Sequence, residues 1–420
     1  MHPGRKSLLS YLPPLTYFLT AVFFVLKEQR AFADVETNGG LWNYIQLFFI
    51  GLAGLYPLYS GRGGSNIFRA KPLVYLLAIT FLIFLISFFR MKGMSRATIY
   101  YQLMTLYPLA VSILYFYIGY RTEFNKKTAL YYGYYIAAFV LIVSLYRFFR
   151  TGRAWTQRGA VAEVYYILGL LPLMMAYVRG KSVAIPIFVC AVAIAFSGKR
   201  AGMLAMFLMI GVYYFIQYAP NIQDMRRIIR AAFVTGLLFL TIAAIGVYLD
   251  NLMNLRIVER LSRMVEDGGS GRLARWTYIM HAIPQSTLSE LLIGREYDEM
   301  ADILGGHAHN DILELFYIDG IFAFVLYLAF FVSFFKTGLA MSRERYEYAP
   351  HFAMSFVCTF MVANLSLFMT APTYTTSGML CLGIFMGHYV RTQVEGPIPA
   401  LRAQRHRSRG RREYTGATPW

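Results

Sequence analysis

The stretch GGHAHNDILELFYIDG, residues 305–320, sets two histidines, an asparagine and three acids (Asp311, Glu314 and Asp319) at the mouth of a long apolar run. Histidine titrates near neutral pH, which suits it to orienting or deprotonating a hydroxyl. A second polar island, FSGKRAGMLAMF at 196–207, puts Lys199 and Arg200 between two apolar blocks with almost no loop. Arginine grips phosphate oxygens through paired, charge-assisted hydrogen bonds. Gly198 and Gly202 beside it let a ligand or another backbone come close. A base together with a fixed guanidinium suits transfer from a phosphorylated leaving group. The acceptor gives up a proton while the cation meets the charge growing on the departing phosphate.

Helical periodicity says how these groups are aimed. From His309 to Gly320 is eleven residues, about three turns at 100° each. His309, Leu313, Phe316 and Gly320 are therefore expected on one stripe, with Ala323 close to it, and small residues let membrane helices approach. His309 is predicted at the outer end of that seam, pointing into the bundle. His307 is predicted to point elsewhere. Asn310 reads as a helix cap. Asp311 and Glu314 complement the positive helix end; Glu314, or a loop acid such as Asp267, serves as the base if His309 instead acts as a cation.

The elements that must hold these groups are membrane helices. The 420 residues are 57% hydrophobic, 17% aromatic and only 15% charged, against about 25% charged in a soluble domain. Apolar residues come in about twelve blocks of bilayer-spanning length. They lie near 8–26, 41–60, 73–89, 97–120, 128–149, 161–178, 183–198, 201–218, 231–249, 312–335, 352–371 and 374–390. The first holds Pro13 and Pro14 and reads as a retained anchor. Cys190, Cys358 and Cys381 all fall inside apolar blocks, as small core residues without disulfide or metal spacing.

Basic residues favour cytoplasmic loops. With the N-terminus inside, the inside segments carry 23 of the 40 basic and 6 of the 22 acidic residues. Both termini are thus expected in the cytoplasm. The Arg-rich tail RAQRHRSRGRRE reads as a topology anchor touching anionic headgroups, not as a nucleic-acid site. The long loop 250–308 falls outside, with a surface helix expected over LRIVERLSRM and breaks at Pro284 and near Gly294. Trp276, Tyr278 and Leu291–Ile293 point to an ordered cap. Basic residues also gather outside, at Arg90/Lys92/Arg96, Arg147/Arg150/Arg153/Arg158, Lys199/Arg200 and from Arg256 to Arg275. Some snorkel at helix ends; the rest suit a cationic pocket for a phosphorylated lipid.

These features resemble the O-antigen ligase and O-antigen polymerase superfamily of bacterial envelopes. The ligase pattern is His, then Asn, Ser or Gln, nine residues, Gly, two residues, then Gly, Thr or Tyr. Here His309, Asn310, Gly320 and Ala323 occupy those positions, and Ala323 departs from the last. An Arg-x3-Leu motif matches Arg200 and Leu204, and SGRLARW at 270–276 is similar to the Gly-Arg…Trp stretch of the outer loop. The resemblance implies an all-α polytopic membrane protein of the glycosyltransferase C type with about twelve transmembrane helices. Its parts are membrane helices over 1–249, a periplasmic loop over 250–308, membrane helices over 309–390 and a basic cytoplasmic tail over 391–420.

It further implies a bacterial inner-membrane enzyme that moves glycans from undecaprenyl diphosphate to an acceptor hydroxyl, inverting the anomeric centre without a metal or other cofactor. Polymerases extend lipid-linked repeat units into O-antigen or exopolysaccharide, possible partners of a chain-length regulator; ligases transfer finished chains to lipid A-core. Ala323 and SGKR favour the polymerase. Arg200 and His309 are then the expected catalytic residues. Lys199, Arg272 and Arg275 join Arg200 on the diphosphate, and Asn310, Glu314 and Gly320 support. A lipid-linked sugar transporter is the alternative from another class. It would place ionisable residues at mid-membrane, whereas here they concentrate at helix ends.

Overall fold

The computed structural model describes residues 64–89, 96–121, 164–176, 180–197, 200–218, 272–295, 297–304, 307–366 and 372–395, with isolated positions between. Among these residues there are helices and no strand. The helices are α1 (Lys71–Phe89), α2 (Arg96–Arg121), α3 (Val164–Ala176), α4 (Ala184–Ser197), α5 (Arg200–Tyr218), α6 (Arg272–Ala282), α7 (Leu288–Ile293), α8 (Tyr297–Leu304), α9 (Asp311–Arg343), α10 (Ala349–Leu365) and α11 (Pro372–Glu395). The apolar blocks at 73–89, 97–120, 161–178, 183–198, 201–218, 312–335, 352–371 and 374–390 thus each contain a helix among their described residues. α9 runs on to Arg343, and α11 continues through Arg391 into the segment expected to open the tail. The blocks at 8–26, 41–60, 128–149 and 231–249 lie outside the described residues, as do LRIVERLSRM and the tail beyond Glu395.

α11 is the central helix, packed on α2, α3 and α10. Its contact with α2 is backbone on backbone. A Cβ at Gly387 would collide with the Phe116 carbonyl, one at Gly383 with the Ser112 carbonyl, and one at Gly119 with the backbone of Ile384. Close approach of this kind lets helices associate where lipid removes the hydrophobic drive. On the α3 side Gly169 lies against Ser377, and Cys381 Sγ donates to the Gly169 carbonyl at 3.1 Å. All three cysteines are buried and none forms a disulfide. α9 packs on α1 and α10. Its Phe331 and Phe334 interlock with Phe352, Phe356 and Phe360 of α10, edge to face at 4.8–5.3 Å between ring centroids.

α5 and α10 lie along one another. Tyr213, late in α5, touches His351, early in α10. They are therefore antiparallel, and the start of α5 at Arg200 shares an end of the bundle with Leu365.

Among the described residues, Lys71–Phe88 and Asp311–Arg343 are long and apolar enough to cross a membrane. Phe81, Phe88, Phe188, Phe215 and Phe335 are all more than half exposed on helix flanks. Water would not tolerate such a surface, whereas hydrocarbon solvates it.

Candidate active site

The cap over one end of the bundle is built from α6, α7 and α8. Pro284 ends α6 in a 3-10 turn, Ile283–Gln285. α7 opens on a capping box, in which Thr287 accepts the Glu290 N–H while Glu290 accepts the Thr287 N–H. It closes at Gly294, whose φ of 81° is open to glycine. Both breaks fall where the sequence places them.

Gly294 meets Gly320 at the middle of α9. Gly320 has φ 79° and ψ −176°, so α9 is two helical pieces joined there. A Cβ on Gly320 would strike the Leu292 carbonyl, and one on Gly294 would strike the Ile318 carbonyl. The interrupted ladder frees Tyr317 O, which accepts the Arg295 N–H at 2.9 Å. Arg295 also bridges Glu299 at 2.5 Å and Glu290 at 3.4 Å, and lies 5.3 Å from the centre of the Tyr317 ring. The cap is thereby riveted to the break.

The predicted stripe from His309 to Gly320 does not form. His309 precedes α9 and has φ 58°, a left-handed conformation that costs energy in a residue with a side chain. The seam at Gly320 does exist, but its partner is the α7 end of the cap and not a membrane helix. Asn310 behaves as expected: extended, it accepts the Leu313 N–H at 3.2 Å and starts the helix.

His307 does not point away. Its Nδ1–H donates to Glu314 Oε1 at 2.7 Å, and Glu314 Oε2 accepts the Ala308 N–H at 3.0 Å. Burial disfavours the charged imidazole, but the hydrogen bond and charge of Glu314, aided by Asp311, outweigh it even against Arg275. The His307 pKa is therefore raised above its ordinary value. Asp311 and Glu314 do more than complement a helix end, since both are buried. Asp311 Oδ2 accepts from Tyr327 Oη at 3.0 Å and from the Met369 N–H at 2.8 Å. It ties the start of α9 to its own later turns and to the segment after α10.

Two of the expected diphosphate ligands are held by backbone. Arg272 Nη1 donates to Leu365 O at 2.5 Å, and Arg275 Nη1 to His307 O at 2.6 Å. Trp276 Nε1 donates to Ala308 O at 3.0 Å. The α6 residues of SGRLARW thus clamp the histidine segment and the end of α10. Tyr165, at the start of α3, faces Ser366 and the charge of Arg272. Arg200 begins α5 at this same end; its side chain, Lys199 and Asp267 lie outside the described residues. His307, Asp311 and Trp276 were not expected in the site. The signal for the first was Glu314, an acid seven residues on within an apolar run.

Residues 185–328, from α4 through most of α9, match the family described as O-antigen ligase. The match covers less than half of the chain and supports its resemblance to the O-antigen ligase and polymerase superfamily. The matched segment contains Arg200, the whole cap, the His307–Glu314 pair, Gly320 and Ala323. No curated protein matches the chain. Members of this superfamily are membrane proteins that act on lipid-linked glycans and their acceptors, and the lipid-compatible flanks of α1 and α9 suit that setting.

Proposed function

We propose that this protein transfers glycan from undecaprenyl diphosphate to a hydroxyl of a second glycan, as a polymerase building O-antigen or exopolysaccharide. The cap end is the periplasmic end in this reading, and the membrane is the bacterial inner membrane. The observation that carries it is the gathering, within the matched segment, of fixed arginines, two histidines and two buried carboxylates at one end of the bundle. Chemistry at that face lacks ATP, so the energy arrives in the donor.

The roles follow from charge. Arg200, with Lys199, binds the diphosphate, whose negative charge grows as the glycosidic bond breaks. Arg272 and Arg275 add positive charge from the cap. The acceptor proton goes to a histidine of the His307–Asn310 segment. A single displacement inverts the anomeric carbon, and protein cations alone supply the charge needed on the leaving group.

Purified protein supplied with undecaprenyl-diphosphate-linked repeat units tests this directly. The expected product is a ladder of longer lipid-linked chains, formed equally well with chelator present. Transfer only to added lipid A-core would assign the ligase reading. Loss of activity with chelator would overturn the metal-independent chemistry. Movement of intact lipid-linked sugar across the membrane, without bond exchange, would favour a transporter.

A further inference from the structure

His307 and Glu314 form a pair whose geometry is more elaborate than a cap needs. The His307 side chain keeps 29% exposure while that of Glu314 keeps 2%, an accessible imidazole backed by an enclosed carboxylate. Nδ1 is engaged by Glu314, so proton exchange with a substrate runs through Nε2. The backbone is pinned on both sides of the ring. Arg275 holds the His307 carbonyl, Trp276 holds the Ala308 carbonyl, and Glu314 holds the Ala308 N–H. Two elements, α6 and α9, thus fix two consecutive residues. His309, two residues on, has its backbone turned into the left-handed region.

We propose that His307 is the catalytic base of the transfer and that Glu314 is its positioning residue. The inference rests on the glycan-transfer reading and assigns the proton within it. The acceptor O–H gives its proton to His307 Nε2 as the oxygen lone pair attacks the anomeric carbon. The new C–O bond forms while the bond from that carbon to the diphosphate oxygen breaks, and its electron pair leaves with the diphosphate. The imidazolium then releases the proton to solvent. Glu314 fixes the tautomer that leaves Nε2 basic and offsets the charge that appears, as the carboxylate does in hydrolase triads. Among the described residues, the charged groups facing the ring are Glu314 and Asp311 from α9 and Arg275 from α6. His309 is left to contact the donor or acceptor without carrying the proton.

The test is the pH dependence of kcat for elongation by purified protein, with donor binding measured in parallel using undecaprenyl diphosphate. Wild-type kcat is expected to rise with pH through one ionisation and then level. Glu314→Gln should move that acid limb to lower pH and lower the plateau; Glu314→Asp should restore part of both. His307→Gln should lower the plateau by about 10²–10⁴-fold and abolish the limb while diphosphate binding stays within a few-fold. His309→Gln should keep the limb. An acid limb unmoved in Glu314→Gln, or retained in His307→Gln, would overturn the proposal. The Glu314→Gln limb decides alone if His307→Gln fails to fold. A wild-type protein that elongates nothing at any pH would instead overturn the transfer reading.

Discussion

At the scale of single residues, carboxylates decide the site. Asp311 receives a hydroxyl and an N–H in a buried setting. Asp311→Ala would take this acceptor from both donors, at about 1–3 kcal/mol each. Thermal unfolding of purified protein should show a clear loss for Asp311→Ala and a smaller one for Asp311→Asn, which keeps an acceptor oxygen. Equal stability of all three would mean that these bonds are not formed. His307 gives a second prediction through pH. Its folded pKa is raised, so its pairing with Glu314 stabilises the cap below the ordinary histidine value. That contribution is lost as pH rises through the raised value. Limited proteolysis within 272–304 should therefore quicken at alkaline pH in the wild type and lose this dependence in Glu314→Gln. Stability and turnover then move in opposite directions with pH, as expected of a base held in a carboxylate's field. The sequence shows Asn310 as a cap because that contact is local. It hides the His307–Glu314 bond because the bond needs the chain to reverse at His309, and a positive φ on histidine leaves no mark in composition.

At the scale of elements, the break at Gly320 is the central device. Helix periodicity made His309-to-Gly320 look like three unbroken turns. A glycine in an apolar run reads equally as a packing residue, and only tertiary contact with Gly294 shows that it interrupts the helix. Gly320→Ala adds a Cβ at φ 79° aimed at the Leu292 backbone. Strain of this kind costs about 1–3 kcal/mol, and the collision adds to it. The cap should detach from α9, with faster proteolysis of 272–304 and reduced turnover. Gly211→Ala, on α5 with open space around it, should leave both unchanged. A Gly320→Ala protein as protected as wild type would show that the break is not required. The breaks at Pro284 and Gly294 were legible because proline and glycine punctuate locally. The α2–α11 seam was not, since Gly119 meets Ile384 across most of the chain.

At the scale of the whole molecule, hydropathy alone located the helices from α1 to α11 that belong to the bundle, because the bilayer fixes their length. The cap joins one end of the bundle, the end proposed above to be periplasmic. Cysteine introduced at Ser286 is expected to react with an impermeant thiol reagent in cells with a permeabilised outer membrane, and cysteine at Ser408 is not. The reverse pattern would invert the topology and place the site away from its donor. Glycan transfer at the capped end is tested most directly by elongation of undecaprenyl-diphosphate-linked repeat units by purified protein, compared across wild type, Arg200→Ala, Arg200→Lys and Tyr346→Phe. Tyr346 contacts His388 at the opposite end of the bundle, so Tyr346→Phe should elongate at near the wild-type rate. Arg200→Ala should abolish elongation, and Arg200→Lys should recover part of it, because a point charge cannot make the paired contact. Wild-type elongation by Arg200→Ala, or its loss in Tyr346→Phe alone, would place the chemistry away from the capped end and contradict the account.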